Sequence, residues 1–166
     1  MKWLLLSIAL FSVPSFARFQ EVVTAYASQV APGTIVISAR ERALYFTLDN
    51  TTAIRYPVAV PKLGKEWSGS AQVIRKVANP VWQAPDDVRR DHPELPAQIA
   101  ADDPRNPMGV AAIELSRPEI AIHGTSDPMR KSIGTAASYG CIRMLNEDVV
   151  NLFQYVNPGT PVVLIR

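Results

Sequence analysis

The stretch TIVISARERALYFTLDNTTAIRYPVAV, residues 34–60, decides the fold. It holds three runs rich in β-branched and aromatic side chains: TIVISA (34–39), ALYFTLD (43–49) and AIRYPVAV (53–60). Such residues suit a pleated, half-buried surface. Asp49 and Asn50 supply turn chemistry, and the short polar spacers predict an antiparallel meander. Four more runs of this kind follow: AQVIRKV (71–77), GVAAIELS (109–116), EIAIHGT (119–125) and PVVLI (161–165). One helix is signalled. Asn146 is placed to cap it, and Glu147 and Asp148 put negative charge in its first turn. Val149, Leu152, Phe153 and Val156 then recur at helical spacing, and Asn157-Pro158-Gly159 stops it. The pattern predicts a mostly β domain with one helix near the C-terminus.

Residues 78–108 break the pattern with six prolines and Trp82. Prolines at that density preclude a long regular element. The segment reads as an extended insertion with one short helix around residues 95–101. Long irregular insertions are commonly lids or binding loops. Here the insertion either bounds a substrate path, with Trp82 as packing anchor, or serves as a strut over the core.

Composition narrows the function. The chain has 166 residues, 48% hydrophobic and 19% charged, which is one globular domain's worth. A net charge of +2 without a basic stripe argues against a nucleic-acid partner. One Cys and two His exclude an internal disulfide and a structural zinc site, and no metal or organic cofactor is called for. At the N-terminus Met1-Lys2 precedes the apolar run WLLLSIALFSV, then Pro14-Ser15-Phe16-Ala17. This reads as a secretory signal cleaved after Ala17. A membrane anchor is the alternative, but the run is short of the roughly 20 residues that span a bilayer. The expected organisation is a signal at 1–17, a lead-in at 18–33 and one domain at 34–166. The mature protein would lie in the periplasm or be secreted, with no stable membrane span.

Export sharpens the reading of Cys141, which has no intramolecular partner. It bridges to another chain, is buried and inert, or is reactive. His123 ends a strand-like run at Gly124, and the small and polar residues after it can loop back toward Cys141. An imidazole beside a thiol lowers its pKa and takes its proton. Gly140 allows a sharp turn, and the N–H groups of Gly140 and Cys141 are placed to stabilise an oxyanion. Taken singly, a Cys is most often a small buried residue, and a His, including His92, an ordinary core or surface one.

Local sequence adds to this. The block HGT followed by SYGCIRM resembles the signature of the L,D-transpeptidase catalytic domain. Fourteen residues, 124–137, separate His123 from Ser138, inside the family's usual spacing. Tyr56-Pro57, the NPMG turn at 106–109 and the terminal GTPVVLI are similar too, so the resemblance covers residues 34–166. It implies a β-sandwich-like fold of mixed sheets. It also implies an exported enzyme that forms a cysteine acyl-enzyme with peptidoglycan stem peptides. Cys141 would be the nucleophile and His123 the base, oriented by the Gly124 carbonyl. Arg143 would pair with a substrate carboxylate, and Ser138 would bond near the thiol. Tyr139 stands where many members have His, and Arg143 where some have Asn. Trp67-Ser68-Gly69-Ser70 replaces the Thr-Pro-x-Gly turn of many members.

The leading expectation is transfer of a tetrapeptide stem to an amine acceptor. Water in the acceptor's place would make an L,D-carboxypeptidase or cross-link hydrolase. A secreted wall-binding module with an inert Cys is the non-enzymatic alternative, and thiol labelling separates it from the others.

Overall fold

A computed structural model describes residues 21–23 and 29–166. The expected signal at 1–17 lies outside the described residues, as does part of the lead-in. The elements in chain order are β1 (Glu21–Val23), β2 (Ile35–Ser38), β3 (Ala43–Thr47), β4 (Thr52–Pro57), β5 (Val60–Pro61), β6 (Gly69–Ala78), β7 (Trp82–Gln83), α1 (Asp86–Asp91) and β8 (Gln98–Ile99). After these come β9 (Ala111–Leu115), β10 (Ala121–His123), a 3-10 turn (Asp127–Ser132), β11 (Ala136–Ser138), β12 (Ile142–Arg143), α2 (Asn146–Tyr155) and β13 (Pro161–Ile165).

The expected meander forms: β2 pairs antiparallel with β3, and β3 with β4. Its runs are continuously apolar because both faces are covered. Ile35, Ile37, Leu44 and Phe46 face the main core, while Val36, Ala43, Tyr45 and Ala53 form a second cluster behind it. The nine-stranded order is β1-β4-β3-β2-β13-β6-β9-β10-β12. β13 runs parallel to β2 and β12 parallel to β10, so the sheet is mixed. β6 makes the corner. Its first residues pair with β13, its later ones with β9, and the register shifts between Val73 and Arg75. A bulge of this kind bends a strand and lets one ribbon curl into two layers. α2 packs on β9 and β10 through Val149 and Leu152, both fully buried. The fold is the expected one: mostly strands in curled mixed sheets with few helices. No helix among the described residues is long and apolar enough to cross a membrane.

Two local expectations are corrected. The short helix of the proline-rich insertion is α1, not residues 95–101, which instead contain β8. Pro93 and Pro96 bias the residues before them away from helical geometry. Asp86–Asp91 is free of proline, with acidic residues in its first turn and basic ones in its last. The second correction concerns Asn146. Leu145 occupies the cap position of α2 without a side-chain cap, and the Asn146 carboxamide is used elsewhere.

The insertion has its own small core of Trp82, Ala84 and Ile99, with Val88 and Met108 packed against it. Buried Asn106 ties its ends together. Nδ2 donates to the carbonyls of Pro80 (2.8 Å) and Ala100 (3.0 Å), and Oδ1 accepts from Met108 N–H (2.9 Å). Asn106→Ala strands the buried Pro80 carbonyl, at a cost of about 1–3 kcal/mol, and removes two part-buried bonds, to the Ala100 carbonyl and the Met108 N–H. Hydrogen exchange should therefore quicken across residues 79–108 and stay slow in β2 and β3. Uniform quickening would show that the insertion is not a separate cooperative unit.

Candidate active site

Ile122 and Ile142 face each other across the parallel β10–β12 pair, as do His123 and Arg143. Successive side chains leave a strand on opposite faces. The two isoleucines are fully buried in the main core, so His123 and Arg143 turn together to the other side. There they border a cleft of about 930 Å³ with Ser138, Tyr139 and Cys141. Trp82, Ile99 and Met108 of the insertion wall the same cleft, so the insertion bounds it and is not a remote strut. A second cleft of about 510 Å³, bordered by Trp67, Arg117 and Glu119, meets the first at Tyr139 and Cys141.

The backbone around Cys141 is held at three points. Gly140 has φ +130°, and a Cβ there would sit 2.5 Å from Ile120 Cδ1, so only glycine fits. Ser138 is 1% exposed. Its hydroxyl donates to the Cys141 carbonyl at 2.5 Å and accepts the Gly140 N–H at 3.3 Å. Ser138 thus bonds the backbone beside the thiol rather than the thiol itself. The Trp67 indole N–H donates to the Gly140 carbonyl at 2.8 Å. The half-buried thiol lies 3.4 Å from the Glu119 carbonyl oxygen and makes no hydrogen bond to the His123 ring in this state.

His123 is 4% exposed. Its Nδ1–H donates to the Gly124 carbonyl at 2.7 Å, which leaves the lone pair on Nε2. The Thr125 N–H of the same peptide unit donates to Asn146 Oδ1 at 3.0 Å, and Val110 N–H reaches that oxygen at 3.3 Å. One peptide plane is therefore pinned between Asn146 and the imidazole. A Cβ on Gly124 or Gly109 would lie 2.2 Å from Asn146 Oδ1, so both positions need glycine.

Burial pushes the His123 imidazole down to about 4. The charge of Arg143 adds to the drop, against the pull of the Gly124 and Pro107 carbonyls. Burial pushes the Cys141 thiol up, against the Ala121 N–H and the Arg143 charge. For the thiol, desolvation outweighs the two groups that favour the thiolate, and His123 is not among the groups that act on it here. Both shifts favour a neutral thiol beside a neutral imidazole. Burial also lowers the Arg143 pKa, and among the described residues no carboxylate pairs with its guanidinium. No group of three or more His, Cys, Asp or Glu placed to hold a metal ion occurs among the described residues.

Tyr139 is a junction. Lys62 Nζ stands 3.5 Å from its ring centroid and Lys65 Nζ 5.4 Å away, with His92 edge-on at 6.1 Å. Lys65 also pairs with Asp87 of α1, joining the loop before β6 to the insertion. His92, read from sequence as an ordinary residue, thus borders the cleft. Trp67, Glu119 and the Asn146 carboxamide were not legible as site residues. The available signal for Trp67 was that a buried indole N–H needs an acceptor.

The L,D-transpeptidase catalytic domain family matches residues 32–164 of this chain. The probable L,D-transpeptidase YbiS of Escherichia coli is 35% identical over 142 residues, covering 82% of this chain and 45% of that protein. The putative L,D-transpeptidase YkuD of Bacillus subtilis is 32% identical over 136 residues, covering 81% of this chain and 67% of that protein. The chain thus spans about half to two thirds of these relatives. The crystal structure of L,D-transpeptidase 3 from Mycobacterium tuberculosis superposes with a TM-score of 0.64 at 14% identity, over 80% of this chain and 60% of that one, a likeness of fold.

Two measurements follow from the electrostatics. Iodoacetamide labelling of Cys141 should climb steadily from about pH 6 to about pH 9, because a raised pKa keeps the thiolate scarce. A plateau at neutral pH would instead mean a resting thiolate–imidazolium pair. The second concerns stability. The His123 pKa is about 4 folded against 6.5 free, so between those values the unfolded chain holds more protons. Stability should fall as pH drops through that window, by about 3 kcal/mol from this group. Urea unfolding of wild type and His123→Gln should differ by that slope; equal slopes would mean His123 is not buried neutral.

Proposed function

From the premise that the chain belongs to the L,D-transpeptidase catalytic domain family and is an enzyme of it, we propose an exported enzyme that acylates Cys141 with a peptidoglycan tetrapeptide stem. The stem is then transferred to an amine on a neighbouring stem. The catalytic domain is residues 34–166, behind a cleaved signal at 1–17 and a lead-in at 18–33. The signal-like N-terminal run supports export to the cell envelope, where that substrate lies.

The observation that carries the reading is the joint placement of Cys141, His123 and Arg143 on one cleft. Nδ1 of His123 is committed to the Gly124 carbonyl, so Nε2 is the site that takes a proton. A stem entering the cleft draws the thiol off the Glu119 carbonyl. Sγ attacks the carbonyl of the L-centre, and its proton passes to Nε2. The C–N bond to the terminal D-Ala breaks, the imidazolium protonates the departing amine, and a thioester remains. The acceptor amine attacks the thioester, His123 takes its proton, and the thiol is restored. Starting from a neutral pair suits this sequence, because a neutral imidazole is the competent base in both half-reactions.

Arg143 supports the substrate class. Its partly buried guanidinium, without a carboxylate partner among the described residues, is stabilised by an incoming anion, and a fork of donors suits a stem carboxylate.

Incubation with tetrapeptide stem fragments and mass analysis of the products tests the reading. Wild type should yield cross-linked dimers and free D-Ala; trimmed monomers alone would mean that water is the acceptor. Cys141→Ser should abolish D-Ala release with the fold intact, since a hydroxyl is a much poorer nucleophile. Arg143→Ala should lower donor turnover by roughly 10- to 100-fold, the loss of one charged hydrogen bond. Its labelling at Cys141 should persist. Turnover persisting in Cys141→Ser would place the nucleophile elsewhere.

A further inference from the structure

We propose that Trp67 is a positioning residue for acyl transfer: its indole N–H fixes the Gly140–Cys141 peptide so that the Cys141 N–H serves as oxyanion donor. This rests on the reading of Cys141 as the acylated nucleophile and adds to it the group that aims the oxyanion site.

The geometry is that of a single peptide unit. The described chain has no cis peptide bond, so the carbonyl and N–H of each unit point in opposite directions. The Gly140 carbonyl accepts from Trp67 Nε1 at 2.8 Å, its one hydrogen bond among the described residues. The Cys141 N–H of the same unit is therefore turned away from the indole. No acceptor among the described residues meets it. The neighbouring N–H, of Gly140, is drawn toward Ser138 Oγ at 3.3 Å, so the donor left free is that of Cys141.

No other hydrogen bond among the described residues holds this unit. It precedes β12 and belongs to no ladder, and Gly140 at φ +130° lacks the side chain that would restrict rotation. The Cys141 carbonyl on the far side of Cα is held by Ser138, so the residue is pinned from both flanks only while Trp67 is present. The indole itself is clamped. Trp67 is 8% exposed and belongs to the main core, and the Arg117 guanidinium covers its ring 4.7 Å from the centroid. A donor fixed before the reaction needs no reorganisation as charge develops on the carbonyl oxygen, which is where such groups have their effect.

The role separates two reactions of the same sulfur. Acylation passes through a tetrahedral oxyanion; alkylation by iodoacetamide does not. Trp67→Phe keeps an aromatic ring and removes the N–H. In the full chain it should slow D-Ala release from a tetrapeptide stem by about 10- to 100-fold in kcat, less than outright loss of an oxyanion donor. KM and the iodoacetamide rate should stay within about twofold of wild type, as loss of transition-state stabilisation alone requires. If the Phe variant does not fold, replacing the Trp67 indole by benzothiophene keeps the outline and removes only the donor, with the same expected split. Unchanged kcat in a folded variant lacking the N–H would overturn the proposal, since Trp67 would then be packing alone. An equal fall in alkylation and acylation would also overturn it, because the thiol rather than the oxyanion site would have been disturbed. A wild-type chain that alkylates at Cys141 yet releases no D-Ala would refute the parent reading and this proposal together.

Discussion

The parallel pairing of β10 with β12 is the constraint on which the site depends. Ile122 and Ile142 lock its inner face into the core, and a register one residue different would turn His123 and Arg143 inward. The rest of the domain serves this pair. β9 flanks β10, α2 covers β9 and β10 from the core side, and the bent β6 carries the sheet around to β13. His123 and Cys141, on either side of a connecting loop, thus reach one cleft through a short ladder that burial fixes.

Around that ladder the chemistry is arranged through backbone rather than through pairs of side chains. The Gly124–Thr125 peptide lies between Asn146 and the imidazole. The Gly140–Cys141 peptide lies behind the thiol. Both units contain a glycine that the site requires: a Cβ at Gly124 would overlap Asn146, and Gly140 holds a φ of +130°. This explains why the neutral, desolvated state of the pair is tolerable. The Gly124 and Gly140 carbonyls are both taken up, while the Cys141 N–H and the Arg143 guanidinium, without partners among the described residues, are left for a substrate.

Much of this was legible in the chain itself. β-Branched runs announced the meander because both faces of β2 and β3 are buried. The HGT and SYGCIRM blocks, through their resemblance to the family, marked His123 and Cys141 as the candidate pair, whereas their spacing alone left an ordinary core Cys and His open. Of the stripe Val149, Leu152, Phe153 and Val156, the first two are buried on α2, Phe153 is half-buried and Val156 is buried just past the helix end, while Asn146 does not cap. A cap is a local preference, and here two N–H groups from β-sheet loops compete successfully for the same carboxamide. The helix at Asp86–Asp91 was missed because six prolines masked a proline-free window. The partnership of Trp67 with Gly140 spans 73 residues, and no local pattern encodes a contact of that range. The thiol's raised pKa was likewise invisible, since the depth of burial is a property of the assembled cleft.

The central claim is that Cys141 carries the acyl group. Intact-protein mass spectrometry after brief mixing with a tetrapeptide stem tests it directly. The account predicts one adduct, of the mass of the stem less its terminal D-Ala, mapped to Cys141 by peptide digestion and removed when an amine acceptor is added. D-Ala release without any adduct at Cys141, or an adduct on another residue, would contradict it.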